Sequence, residues 1–119
     1  MTPESCNAFC AGLSATSHVV QWGGSDVWKV GGKVFAVAGW GKDDHFAVSF
    51  KVSELAFEVL SDHPDCRPAP YLASRGMKWI QYYRGDVMED GELEDLIRQS
   101  HTIVAAGLPK KTRVSLGLT

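Results

Sequence analysis

The stretch Trp28-Lys29-Val30-Gly31-Gly32-Lys33-Val34-Phe35 decides how this chain folds. Two glycines separate the runs Asp26–Val30 and Lys33–Trp40, both rich in β-branched and aromatic residues. A two-residue connection of that kind needs positive φ at its centre, which glycine adopts without steric cost, so the spacing predicts a tight antiparallel hairpin. Working backwards, His18 to Trp22 reads as a strand closed by Gly23-Gly24-Ser25. Working forwards, Gly41 to Asp44 makes a turn and His45 to Lys51 is the next strand, with Phe46, Val48 and Phe50 on one face and Ala47, Ser49 and Lys51 on the other. Four sequential strands with short turns predict a meander.

Helices flank it. Thr2 caps a first helix, Pro3 suits its first position, and Cys6, Phe9, Cys10 and Leu13 recur at helical spacing. Ser53 caps a second, with Glu54 in its first turn and Leu55, Ala56, Val59 and Leu60 inward. His63 to Gly76 carries Pro64, Pro68 and Pro70, which argues against regular structure, and Lys78 to Tyr83 reads as a fifth strand. Gly91 to Ala106 is the clearest helix, with Leu93, Leu96, Ile97, Ser100 and Val104 on one face and Gly107 and Pro109 as stop signals. The expected order is helix, four strands, helix, strand, helix. The expected fold class is α+β: a two-layer sandwich over residues 1–119 as one domain, whose antiparallel five-stranded sheet has helices on one face and a partly open second face.

Composition bounds the function. The chain has 119 residues, 45% hydrophobic and 22% charged, with a formal charge of −2; those values exclude wholesale disorder and a protein held to nucleic acid by bulk charge. No apolar run approaches the roughly 18 residues that span a bilayer, and no basic segment followed by an apolar one opens the chain. The reading is a cytoplasmic domain with no membrane association. Cys6, Cys10 and Cys66 are odd in number and read as small apolar residues in a reducing compartment, since Cys6 and Cys10 lack a second ligand pair.

Charge is uneven along the chain. Arg67 to Arg84 holds four bases (Arg67, Arg75, Lys78, Arg84) and no acid, whereas Asp86 to Asp95 holds six acids and no base. The acidic run suits the positive end of the helix that follows, and it lacks the alternating ligands of a calcium loop. Lys29 and Lys33 flank the glycine turn, Lys51 ends the fourth strand, Lys78 precedes Trp79, and Lys110, Lys111 and Arg113 lie near the end. Brought together, these seven residues would make a phosphate-binding surface edged by aromatics; apart, they solvate strand ends. His18, His45, His63 and His101 show no metal-binding spacing, no serine sits in a nucleophile elbow, and Gly31-Gly32-Lys33 is too short to cradle a phosphate. No catalytic residue, metal site or cofactor is therefore expected. An enzyme would need Pro70-Tyr71, Lys78-Trp79 and His45 to converge on a pocket.

The hairpin resembles the K-V-G-G-K-x-F segment of the MmcQ/YjbR family of small bacterial proteins. Val48-Ser49-Phe50-Lys51, Pro70-Tyr71-Leu72, Lys78-Trp79-Ile80 and Leu108-Pro109-Lys110-Lys111 follow in the family's order, so the resemblance spans about residues 3 to 116. It implies a two-layer α/β domain of the frataxin (CyaY-like) and secretion-chaperone type. It also implies DNA binding through a double wing of β-hairpins, with no catalytic activity attached. By position, the implied DNA contacts are Lys29, Lys33, Lys51, Lys78, Lys110 and Lys111, while Trp79 and Pro70-Tyr71 match family motifs that also suit a buried framework. Duplex DNA is the leading expected partner. The alternative is a protein-interaction module whose open sheet face accepts a partner chain.

Overall fold

In the computed structural model Gly31 and Gly32 carry φ of 57° and 81°, the pair of positive values that a two-residue hairpin turn demands. The structure describes residues 1–41, 45–73, 76–84 and 87–118. The hairpin joins β2 (Ser25–Val30) to β3 (Lys33–Ala38). Around it lie α1 (Pro3–Ala11), β1 (Thr16–Gln21), β4 (Val48–Lys51), α2 (Glu54–Ser61), β5 (Cys66–Pro68), β6 (Trp79–Tyr82), α3 (Asp90–Ala106) and α4 (Lys110–Ser115). The strands form one antiparallel sheet in the order β1-β2-β3-β4-β6-β5. The expected turn at Gly41–Asp44 falls largely outside the described residues, as do Arg75 and Asp86.

The two-layer α+β architecture is as expected, with differences in detail. The sheet has six strands, because Cys66–Pro68 pairs with β6 (Cys66 with Tyr82, Arg67 with Gln81, Pro68 with Ile80). Pro68 is tolerated since β5 is a sheet edge, where a missing N–H breaks no ladder on the solvent side. α4 follows Pro109 directly, a fourth helix where the expected order ends with the third. On α2 the expected inward set is rotated: Ala56, Phe57 and Leu60 pack toward the core, while Leu55 and Val59 are 72% and 62% exposed. Phe57, with the largest apolar surface, takes the inward position.

One sheet face packs against helices. Trp28 and Val30 of β2, Ala36 and Ala38 of β3, Val48 and Phe50 of β4, and Ile80 and Tyr82 of β6 share a core with Cys6 and Cys10 of α1 and Leu93, Ile97 and Val104 of α3. The opposite face carries the row Val27, Val37, Ser49 and Gln81, placed side by side by the strand register. Expected to be partly open, that row is completely buried. Segment Gly39–Trp40 lies across it, with both carbonyls accepting from the Gln81 amide at 3.3 and 2.9 Å.

α3 is fastened to the sheet by one hydroxyl. The buried Ser100 Oγ donates to the Phe35 carbonyl at 2.6 Å and accepts from the Lys51 amide at 2.8 Å. Ala36 pairs with Phe50, so Phe35 and Lys51 are the next opposed positions, and the hydroxyl bridges them where a direct ladder bond would lie. Past the end of α3, Leu108 packs on the hairpin turn: a Cβ placed on Gly31 would sit 2.5 Å from Leu108 Cδ1, while one on Gly32 meets nothing within 4 Å.

Two outcomes follow for stability. Gly31→Ala combines left-handed strain with a clash and should destabilise by about 2–4 kcal/mol, whereas Gly32→Ala carries the strain alone, about 1–2 kcal/mol, the gap being read by urea unfolding. Ser100→Ala strands a buried amide and a buried carbonyl, so it should lose about 1–3 kcal/mol in the same assay, and Ser100→Thr should not restore that loss fully because the added methyl must fit a filled core.

Candidate functional site

The basic residues are positioned by the hairpin and by its contact with Leu108. Lys33 begins β3 and is exposed; Lys51 ends β4 and is half-buried. Together with Val34, Leu72, Trp79 and Ile103 they line a groove of about 420 Å³ at this end of the sheet. Lys110 and Lys111 are exposed at the start of α4, two and three positions beyond the Leu108 that covers Gly31. Lys29 stands opposite Ser17 and Val34 on β2. Lys78 is directed elsewhere, its ammonium 4.9 Å from the centre of the Phe57 ring of α2. Arg113 lies in a different crevice with His101, Thr102 and Leu118, and its Nε is buried with no hydrogen-bond partner among the described residues. The fold thus brings Lys33 and Lys51 into one groove, with Lys110 and Lys111 following from the same end, and leaves Lys78 and Arg113 apart.

Two of the histidines and the cysteines are engaged structurally. His18 meets Asp26 at 2.8 Å and lies against the Trp28 ring; His101 reaches the Ser14 carbonyl at 2.8 Å. All three cysteines are buried free thiols. The Cys10 thiol donates to the Cys6 sulfur, which raises Cys10 and lowers Cys6, and burial beside Asp65 pushes Cys66 up to about 11. Among the described residues no three His, Cys, Asp or Glu side chains group as metal ligands, and no helix is long and apolar enough to cross a membrane. Tyr71, Trp79 and His45 do not meet: each lines a different concavity.

A second concavity, of about 490 Å³, is lined by Trp22, Trp40, Tyr71 and Leu72. The Trp22 and Trp40 rings stack at 5.5 Å, and Trp40 meets Tyr71 edge-on at 5.3 Å. Trp22 and Tyr71 are nonetheless 48% and 69% exposed. All three have left-handed backbone, with φ of 53°, 61° and 69°. A bulky side chain there costs about 1–2 kcal/mol, so local propensity opposes all three placements. What holds them is the surrounding framework. Ser25 Oγ donates to the Trp22 carbonyl at 3.3 Å. The same Ser25 side chain lies 2.3 Å from where a Cβ on Gly39 would be, so only glycine lets the chain lead into Trp40. The Trp40 carbonyl accepts from Gln81 and, at 3.4 Å, from Arg67, whose Nε donates to Gln81 Oε1 at 2.6 Å. Backbone bonds from Ala69 to Trp79 and from Ala73 to Ala69, 3.0 Å each, hold the turn bearing Tyr71. The guanidinium groups of Arg67 and Arg84 lie 5.0 and 5.9 Å from the centre of the Tyr83 ring, and Arg84 faces the Asp65 carboxylate at 3.8 Å.

Trp22 and Trp40 read from sequence as strand ends, which hides them. The signal that marks them is their setting, Trp22-Gly23-Gly24 and Gly39-Trp40-Gly41: aromatic residues beside glycines, where the chain turns and a large ring is left at the surface. Leu72 lines both this concavity and the lysine groove.

Among known proteins, the YjbR family model matches residues 11–103, from the end of α1 almost to the end of α3. That match contains Lys29, Lys33, Lys51, Lys78 and the three aromatics, and ends before Lys110, Lys111 and Arg113. No curated protein sequence matches the chain. Among solved structures, the Deinococcus radiodurans protein DR2400, whose domain is designated DUF419, superposes with a TM-score of 0.85 over 99% of this chain and 89% of that one. The two are 24% identical, a likeness of fold. With the family match covering most of its length, the chain belongs to the YjbR family.

Proposed function

We propose that this YjbR-family chain is a DNA-binding module that grips duplex phosphates at the end of the sheet formed by the Gly31-Gly32 turn. The observation that carries the reading is the seat of Leu108 on Gly31, which ties the lysine-bearing hairpin to the lysine-bearing start of α4. A formal charge of −2 gives no bulk attraction to DNA, so affinity has to come from a local patch; Lys33, Lys51, Lys110 and Lys111 supply one. Lysines act as point charges on phosphate and fix register without reading bases.

The test is fluorescence anisotropy of a labelled mixed-sequence duplex at about 50 and 200 mM salt. Binding should collapse by orders of magnitude at the higher salt. Lys33→Ala, Lys51→Ala, Lys110→Ala and Lys111→Ala should each weaken it alike on unrelated sequences and flatten the logarithmic salt slope by about 0.9. Lys78→Ala, whose ammonium rests on Phe57, should leave the slope unchanged. A quadruple variant of the first four that binds as tightly as the parent overturns the assignment.

A further inference from the structure

We infer that Trp22, Trp40 and Tyr71 form a stacking site for an unpaired nucleobase, so that the chain's nucleic-acid ligand includes a single-stranded segment. Three observations support it. The first is that exposure and strain coincide: of the four non-glycine residues with positive φ among the described residues, three are these aromatics, and all three meet in one concavity. Rings serving only to fill a core would be buried on relaxed backbone; here the fold holds them at the surface against local preference, the pattern of a ligand site. The second is geometry. A stacked tryptophan pair with a tyrosine edge-on to it presents flat aromatic surface within about 490 Å³, a volume within the usual range of small-ligand sites, about 300–1,000 Å³. Every base has a π-face, so such a platform accepts bases without regard to sequence.

The third is charge. The Trp40 carbonyl is held by the Arg67 guanidinium, whereas Arg84 is faced by the Asp65 carboxylate at 3.8 Å and adds nothing to the site. The Arg67 charge at the Trp40 backbone disfavours an ammonium guest, the other common occupant of an aromatic cluster, and favours a ligand that carries phosphate. Leu72 belongs to this concavity and to the groove of Lys33 and Lys51. A strand with a base on the rings therefore has cationic side chains next to its backbone. This part rests on the nucleic-acid reading proposed above, since it uses the same lysines.

The experiment titrates the protein with a labelled single strand of about 12 nucleotides, in the size range of single-strand sites, with the duplex of the same sequence, with adenosine monophosphate and with an oligoproline peptide. Trp22→Ala and Tyr71→Ala should each weaken single-strand binding by about fivefold to a hundredfold, the range of one lost base stack, while leaving duplex affinity unchanged. Trp22→Phe and Tyr71→Phe, which keep a ring, should restore it. The strand should also quench tryptophan fluorescence, less so in Trp22→Ala. No binding of the single strand, or binding that survives both alanine variants, overturns the site. Oligoproline that binds in its place does the same, while adenosine monophosphate that binds as tightly as the strand keeps the base site and overturns the single-stranded segment as its ligand. Ring-dependent single-strand binding without any duplex binding leaves this site standing and removes the duplex reading. Lysine-dependent duplex binding with ring-independent single-strand binding does the reverse.

Discussion

The hydroxyl of Ser100 joins the two layers of this molecule. It sits where β3 and β4 would exchange their next ladder bond and satisfies both strands, donating to Phe35 and accepting from Lys51. A side chain from α3 thus becomes part of the sheet's own hydrogen bonding, and with Ser100 and Phe35 fully buried the groups it joins would be costly to leave unpaired. The consequences run outward in both directions along α3. Towards its end, Ile103, Val104 and Gly107 are presented to the lysine groove, and Leu108 arrives on the Gly31 turn. Because the Lys51 backbone is pinned by the same hydroxyl, the position of one candidate phosphate contact is set by helix packing, not by the strand alone.

On the opposite face a buried amide plays a comparable part. Gln81 has no exposure, yet both ends of its side chain are engaged: the oxygen accepts from Arg67 and the nitrogen donates to the carbonyls of Gly39 and Trp40. A polar group in the middle of a sheet is tolerable only with such partners. The cross-link holds the chain after β3 over the face that helices leave bare, and Trp40 reaches the surface from there. Ser49, beside Gln81 in the register, is less well served; its hydroxyl is buried with no hydrogen-bond partner among the described residues.

Much of the fold is legible in the sequence because local signals and tertiary structure agree. Thr2 and Pro3 start α1, Gly31-Gly32 makes the hairpin, and the stripe from Leu93 to Val104 defines α3. What escapes lacks a local signature. β5 is three residues ending in proline, too short to alternate, and is a strand only because β6 offers it a partner. α4 follows Pro109 with Lys110-Lys111 and has no buried stripe to announce it. Gln81 carries no local mark of burial, because its polarity is visible in the sequence and the carbonyls that meet it are not. The lysines are easy to nominate, but whether Lys110 and Lys111 reach the hairpin's end of the sheet depends on Leu108 touching a turn far away in sequence. The aromatic concavity is the least legible part, assembled from three separate turns that strand order alone does not bring together, since Trp22 follows one edge strand and Tyr71 the other.

The left-handed conformations of Trp22, Trp40 and Tyr71 have a consequence for how this sequence can change. Glycine or asparagine at those positions would relax the backbone, releasing about 1–2 kcal/mol at each. Substitutions that favour thermal robustness and those that dismantle the ring cluster are therefore the same substitutions. Selection for heat tolerance alone, in nature or in a directed-evolution campaign, would drift towards a smoother surface with no aromatic concavity, a trade between robustness and recognition written into three backbone angles.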